Sequence, residues 1–247
     1  EDVARLVLRN NYLQTLAISL AEAEGPAAAG FQMRLMHVLE QRANLDRTIE
    51  GLPTDQEIAA RVASGTGLTR PEIGVVMAYA KIMLYDDLVA SGVPDDPFLG
   101  REIQRYFPPQ MDARFPEEIQ RHRLRREIIA TMLSNALINR GGPTFMVKVG
   151  DQTGASVDGI ALAFATARAV FELSETNDAI DALDNRVAGA LQLELYRIVQ
   201  STLTRATVWF IRNWGFADGV ESAIGHFRAR IGELVRLSGS FLPADRV

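Results

Sequence analysis

RHRLRREIIA, Arg121 to Ala130, opens with four arginines and a histidine in six residues and then turns apolar. Either the cluster grips phosphate, or it solvates the front end of a helix. The residues that follow set the period. Leu124, Ile128 and Met132 fall four apart, and Ile129, Leu133 and Leu137 form the neighbouring row, so the spacing predicts one helix from about Pro116 to Asn139 with a broad buried stripe. Gly141-Gly142-Pro143 stops it. Arg121 and Arg125 stack on one flank, His122 and Arg126 on another. Glu117 and Glu118 precede Arg121 and His122 by four residues, the favourable order for helical ion pairs, so half of the charge is answered locally. A phosphate reader needs several uncompensated cations with aromatic or amide side chains among them. The stretch offers neither. What remains is a solvated flank, or Arg forks aimed at carboxylates of a neighbouring helix or subunit.

The bulk composition agrees. The 247 residues are 47% hydrophobic and 23% charged, as in an ordinary globular protein with a sizeable core. A net charge of −5 repels a polyanion, so no nucleic-acid partner is expected. Disulfides, thiolate metal sites and a cysteine nucleophile are excluded because there is no cysteine, which suits a reducing cytoplasm. The most apolar run, Ile73 to Tyr85, is interrupted by Lys81 and falls short of the roughly 20 residues that span a bilayer, so no membrane partner is expected either. Of the 26 basic residues only Lys81 and Lys148 are lysine, a bias spread evenly along the chain. EDVARLVLRN begins without methionine and enters a helical pattern at once, which suggests a piece of a longer polypeptide.

Strand signals are nearly absent and helix signals dense, so an all-α fold of about ten helices is expected, a multi-helix orthogonal or bundle-like domain with no significant sheet. The spacing predicts a helix over Val3 to Ala23, ended by Gly25-Pro26, and a second over Ala27 to Arg47. Thr54-Asp-Gln-Glu57 is a capping box that starts a short helix to about Ser64; Thr69-Arg-Pro-Glu72 repeats the device and starts a helix to Ala90. Another helix begins at Asp96-Pro97 and is broken at Phe107-Pro108-Pro109. After the long helix of the opening stretch come helices at Thr144 to Asp151, Ser156 to Phe171, Ser174 to Leu183, Ala188 to Asn213 and Asp218 to Leu237. A single all-helical domain over 1–247 is expected, and Phe107 to Arg114 is the seam at which it could divide into subdomains 1–110 and 111–247.

Candidate chemistry is sparse. Thr54 to Lys81 has a helix-turn-helix outline, but the second helix shows Ile73, Val75, Val76, Met77 and Tyr79 where a DNA reader shows Arg, Gln, Asn and Ser. His37, His122 and His226 have no metal-ligand spacing. Asp86-Asp87 and Asp95-Asp96 read as helix-end and cap chemistry before general acid and base. Trp209 and Trp214 anchor a core or an interface. Gly65-Thr-Gly67 and Gly141-Gly142 lack the other glycines of a phosphate loop and follow no strand.

LVLRNNYLQTLAISLAEA (Leu6 to Ala23), LTRPEIGVVMAYAKIMLYDDL (Leu68 to Leu88), DDPFLGREIQRYFP (Asp95 to Pro108), RHRLRREIIATMLSNALINRGGPTF (Arg121 to Phe145) and ALDNRVAGALQLELY (Ala182 to Tyr196) together resemble the C-terminal helical region of the large, multi-domain bacterial NAD-specific glutamate dehydrogenases. The resemblance covers nearly the whole chain. It implies a parent that oxidises L-glutamate to 2-oxoglutarate and ammonia with NAD, on a catalytic core and Rossmann-type nucleotide domain upstream. The family's catalytic lysines lie in Gly-rich contexts, unlike Lys81 and Lys148, so no catalytic, cofactor or metal residue carries over to this sequence. The implied partners are the upstream domains of the same polypeptide, in a parent that is a homo-oligomer. Arg9, Asn10, Asn11 and Tyr12, with Arg121, Arg125 and Arg126, are the candidate domain or subunit interface. The alternatives are a helical DNA-binding regulator using Thr54 to Lys81, and a self-contained enzyme using His122 or His226.

Overall fold

The computed structural model describes residues 2–241, which form thirteen α-helices and three short 3-10 turns with no strand among them. The helices are α1 (Asp2–Ala23), α2 (Ala29–Arg42), α3 (Asp55–Ala63), α4 (Arg70–Ala90), α5 (Glu102–Tyr106), α6 (Pro109–Arg114) and α7 (Pro116–Gln120). They continue with α8 (Arg125–Gly141), α9 (Phe145–Thr153), α10 (Val157–Val170), α11 (Leu173–Asp181), α12 (Gly189–Asn213) and α13 (Gly219–Phe241).

At the centre stands α10. Ile160, Ala161, Ala163, Phe164, Ala165, Thr166, Ala167 and Val170 are all buried, which places covered side chains all round the helix. Alanines let its neighbours come close, and α12 and α13 lie along it, with α9 and α11 at its sides. A second layer is the pairing of α4 with α8, flanked by α1 and α2. Ile73, Val76, Met77, Ala80, Leu84 and Leu88 of α4 face the buried Ile129, Leu133 and Leu137 row of α8 within one apolar core that runs from Ala17 to Val220. Trp209, Phe210 and Trp214 meet Phe227 of α13 edge-on at centroid distances of 5.4, 5.4 and 5.0 Å, closing α13 over the end of α12.

Three expected helices differ. The second one does not reach Arg47, because Asn44 adopts φ 53° and the amide of Leu45 donates to the Leu39 carbonyl at 3.2 Å, a Schellman-type stop. Pro109 does not merely end the helix before it but opens α6, where its missing N–H costs nothing. The long helix of the arginine stretch is two helices. The imidazole Nδ1 of His122 accepts from the Leu124 amide at 3.1 Å, and this local bond replaces a turn of helix between α7 and α8. Leu124 is consequently 46% exposed and lies outside the buried stripe.

Caps hold the elements in register. The Thr54 amide donates to Glu57 Oε2 at 2.7 Å and its hydroxyl accepts from the Glu57 amide at 3.3 Å, the box that the sequence predicts. Asp96 serves two elements: Oδ1 accepts from the amides of Phe98 and Leu99 (2.9 and 3.1 Å), and Oδ2 from the Val220 amide at the start of α13 (3.2 Å). Gly219 precedes it at φ 75°, and a Cβ there would stand 3.0 Å from that carboxylate.

One ion pair is deeply set. Glu102, 6% exposed on α5, takes the Arg168 guanidinium of α10, with Arg105 as a second, exposed partner. Arg168→Ala leaves that carboxylate under-compensated and should lower the unfolding free energy by about 3 kcal/mol in a urea titration. Replacing both residues by methionine should cost far less, since the desolvation penalty disappears with the charges.

Candidate functional site

The densest convergence of polar side chains lies where α1, α8, α11 and α12 meet. Each helix contributes residues one turn apart: Arg9 and Tyr12, Asn177, Asp178 and Asp181, Tyr196 and Gln200, with Asn139 and Arg140 from the last turn of α8. Asp181 is the hub. Its Oδ2 lies 2.8 Å from Arg9 Nη1 and 3.5 Å from Arg140 Nη2, and its Oδ1 accepts from the Tyr196 hydroxyl. Arg9 reaches on to Asp178 at 2.7 Å, and Arg140 donates to Asn177 Oδ1 at 3.1 Å. The hydroxyls of Tyr12 and Tyr196 are 3.4 Å apart. Beneath the polar layer Leu16, Leu20 and Ile180 pack with Tyr196 in a small apolar cluster of their own.

Burial, and then the bond to Asp181, push the Tyr196 phenol well above its ordinary range, so it stays the proton donor of the pair. Two arginines answer two aspartates, leaving the group near neutral. Asn139, 2% exposed, has an Oδ1 without a hydrogen-bond partner and faces a cavity of about 10 Å³ beside Leu16, Tyr196 and Gln200. That is room for about one water molecule. The arrangement holds helices; it offers no space for a reacting molecule.

The seven residues singled out in the sequence fall in three places. Arg9 and Tyr12 join this network; Asn10 is half-buried beside them and Asn11 is exposed. Arg125 and Arg126 turn to the end of α4. Arg125 Nη1 donates to the Pro94 carbonyl at 2.9 Å. Arg126 Nη2 donates to the carbonyls of Val89 and Ser91 at 3.0 and 2.6 Å, and its Nη1 pairs with Asp95. Arg121, 81% exposed, has Glu117 at 3.4 Å as its one ion-pair partner among the described residues. Asp181, Arg140, Asn177 and Tyr196 were not anticipated. Nothing in their local spacing marks them, since each partner lies on a different helix.

The histidines do not converge. His37 pairs with Asp55 at 2.8 Å, His122 accepts from the Leu124 amide ahead of α8, and His226 lies 2.7 Å from Arg230. Among the described residues no three His, Asp or Glu side chains are placed to hold a metal, and no helix is long and apolar enough to cross a membrane. Lys148 pairs with Glu24 at 3.0 Å over the ring of Phe31. Lys81 differs: its Nζ is enclosed without a hydrogen-bond partner, and burial pushes its pKa down to about 8.

Fold and network together define a multi-helix α domain whose charges staple its own helices. The sequence matches the family described as glutamate dehydrogenase, C-terminal, over residues 65–247, and the chain belongs to that family. It is 40% identical over 232 residues, 94% of its length, to an NAD-specific glutamate dehydrogenase of Pseudomonas aeruginosa, covering 14% of that protein. It is 38% identical over 245 residues to the enzyme of the same name from Halomonas elongata, and 28% identical over 247 residues to that of Mycobacterium tuberculosis, covering 15% of each. The chain thus spans about one seventh of the curated relatives it matches.

Two measurements test the energetics. Asp181→Ala strands Arg140 in a half-closed site and should cost about 3 kcal/mol or more, whereas Arg9→Ala removes an arm that is 44% exposed and should cost about 1 kcal/mol or less, both read by chemical denaturation. For Lys81 the folded pKa lies below the ordinary 10.5, so the unfolded chain binds more protons between about 8 and 10.5 and stability should rise as the pH climbs through that window. Lys81→Met should remove that slope and raise the melting temperature at pH 7, by about 2–4 °C for each kcal/mol gained.

Proposed function

We propose that this chain is a non-catalytic helical domain of an NAD-dependent glutamate dehydrogenase, packing on the catalytic and nucleotide-binding core of its own polypeptide and supporting the arrangement of domains or subunits. The parent reaction is L-glutamate, NAD and water to 2-oxoglutarate, ammonia and NADH. Membership of the family and the length of the relatives support the parent activity. NAD belongs to the parent's upstream domain in this reading, and the parent is a cytoplasmic homo-oligomer.

The observation that carries the docking role is the apolar stripe of α1. Leu13, Leu16, Ala17 and Leu20 lie on one face of the helix, and Leu16, Ala17 and Leu20 are buried. Val3 and Leu6 continue the same face at helical spacing but are 64% and 36% exposed, with Val7 and Leu8 exposed beside them. The stripe is longer than the surface inside this domain that covers it. Apolar side chains gathered at one end of a helix favour a protein partner, and Asn10 and Asn11 at the rim provide amide groups for it. Arg121, exposed at the end of α7, is the arginine of the opening stretch best placed to reach a second surface.

In this reading the chain carries no dinucleotide site of its own. No strand is present among the described residues for Gly65-Thr-Gly67 or Gly141-Gly142 to follow, and a cavity of about 130 Å³ between α2, α4 and α10 is well below the roughly 300–1,000 Å³ of ordinary small-molecule sites. The DNA-reading alternative gains no support: α4 lies in the core, and Arg61 and Arg70 are paired with Glu72 and Glu22, both at 2.7 Å.

Val3→Glu with Leu6→Glu tests the role. In the isolated chain the pair should leave the melting temperature nearly unchanged, because both side chains are exposed there. In the intact enzyme it should lower glutamate oxidation or shift the assembly state in analytical ultracentrifugation. An intact enzyme with unaltered rate and mass would end the proposal.

A further inference from the structure

The break at His122 leaves Leu124 at the surface, where it joins other large apolar side chains. Tyr106 at the end of α5, Met111 on α6 and Phe115 between α6 and α7 are, like Leu124, 40% to 48% exposed. They belong to one surface. Helix α5 packs on both α6 and α7, the Tyr106 ring meets Phe107 edge-on at 5.3 Å, and Phe107 lies 5.8 Å from His122. Beneath them Ile103 and Ile119 are buried in the core and fix the short helices to it. Single exposed apolar residues are ordinary, whereas a group of them rimmed by charge marks a contact. Aromatic rings, Met and Arg are also the residues in which interface centres are enriched.

The charged rim decides what fits. The Arg114 guanidinium lies over the Phe115 ring at 5.2 Å. Over residues 117–123 the acids come first and the bases last, Glu117 and Glu118 and then Arg121 and Arg123. Among the described residues Glu118 and Arg123 make no ion pair, and Glu117 and Arg121 have each other at 3.4 Å with both side chains well exposed. An acidic protein, a nucleic acid or an anionic bilayer would meet the two glutamates; a basic partner would meet the arginines. A surface that carries acid at one end and base at the other is complementary to itself turned end for end. That is the relation a two-fold axis imposes.

We propose that the face built by α5, α6 and α7 pairs with the same face of a second copy of this chain about a two-fold axis. Tyr106, Met111, Phe115 and Leu124 form its apolar centre, and the glutamates of each α7 meet the arginines that follow α7 in the other copy. Of residues 101–124 only Glu102, Ile103 and Ile119 are buried. What remains is at the small end of the roughly 20–30 residues that each side of a standard interface uses, so the dimer is weak and depends on concentration. The proposal goes beyond the docking role of α1 and needs neither glutamate oxidation nor Val3 and Leu6.

Sedimentation equilibrium of the 247-residue chain, 27.2 kDa, tests it. The average mass should climb from that of the monomer toward twice that value as the concentration rises through the micromolar range. Phe115→Glu should weaken the association about 10-fold or more, with helical circular dichroism and melting temperature retained. If that variant does not fold, the charges decide. Glu117→Arg with Glu118→Arg, and separately Arg121→Glu with Arg123→Glu, should each weaken the dimer about 10-fold or more. An equimolar mixture of these two variants should recover it, since each supplies the sign that the other lacks. Val3→Glu with Leu6→Glu should leave the association unchanged, which separates this surface from the one on α1. A chain that stays monomeric overturns the proposal, as does a mixture no more associated than its parts, a dimer that none of the α5 to α7 variants weakens, or one lost with Val3 and Leu6.

Discussion

A helix covered on every side cannot carry charge on its middle turns, and α10 imposes that constraint on the whole domain. Half of its buried residues are alanine, so α12 and α13 come close, and Ile160, Phe164 and Val170 fill the core together with side chains of those neighbours. α10 carries charge only in its end turns, Asp158 in the first and Arg168 in the last, where Arg168 meets Glu102. The hydroxyl of Thr166, fully buried, donates to the Leu162 carbonyl at 2.9 Å and so is not left without a partner. Polar work is thereby driven outward, to the ends of the surrounding helices.

At those ends the arginine bias acquires a use. Arg126 holds two carbonyls at the end of α4, of Val89 and Ser91, and a carboxylate in the next turn, satisfying acceptors that a helix terminus leaves orphaned. Arg140 reaches both Asn177 and Asp181, and Arg9 both Asp178 and Asp181. A planar fork spans two acceptors on different residues in one fixed geometry; an ammonium on a flexible stem does so with a larger loss of freedom. Lys81 shows the contrast, a buried amine that found no acceptor.

The all-helical class, most helix positions and the capping box at Thr54 were legible because each rests on spacing within one segment. The arginine stretch misled at His122, since its residues favour helix by propensity and only a side-chain bond to the Leu124 amide breaks it. Asn44 misled similarly: an asparagine can end a helix in the left-handed conformation, but sequence does not say which one will. The Asp181 network was half legible. Arg9 and Tyr12 stood out as a polar group on an apolar helix, while their partners lie 169 and 184 residues away, where no local pattern reports them.

The same network explains how α1 can be both part of the domain and a surface for something else. Its second half is committed to the core through Leu16, Ala17, Leu20 and Ala21. Leu6 stands about 15 Å from Leu16 along the axis at 1.5 Å per residue, far enough that the core alone would not hold it. Arg9 and Tyr12 staple the helix between these points, to Asp178 and Asp181 on α11 and to Tyr196 on α12. A helix fixed at two places keeps its first turns in line with the domain, so an apolar face there can be presented without the ordering cost that a frayed end would impose. Near-neutral charge in the staple serves the same end, because it adds little field at the exposed Val3 and Leu6.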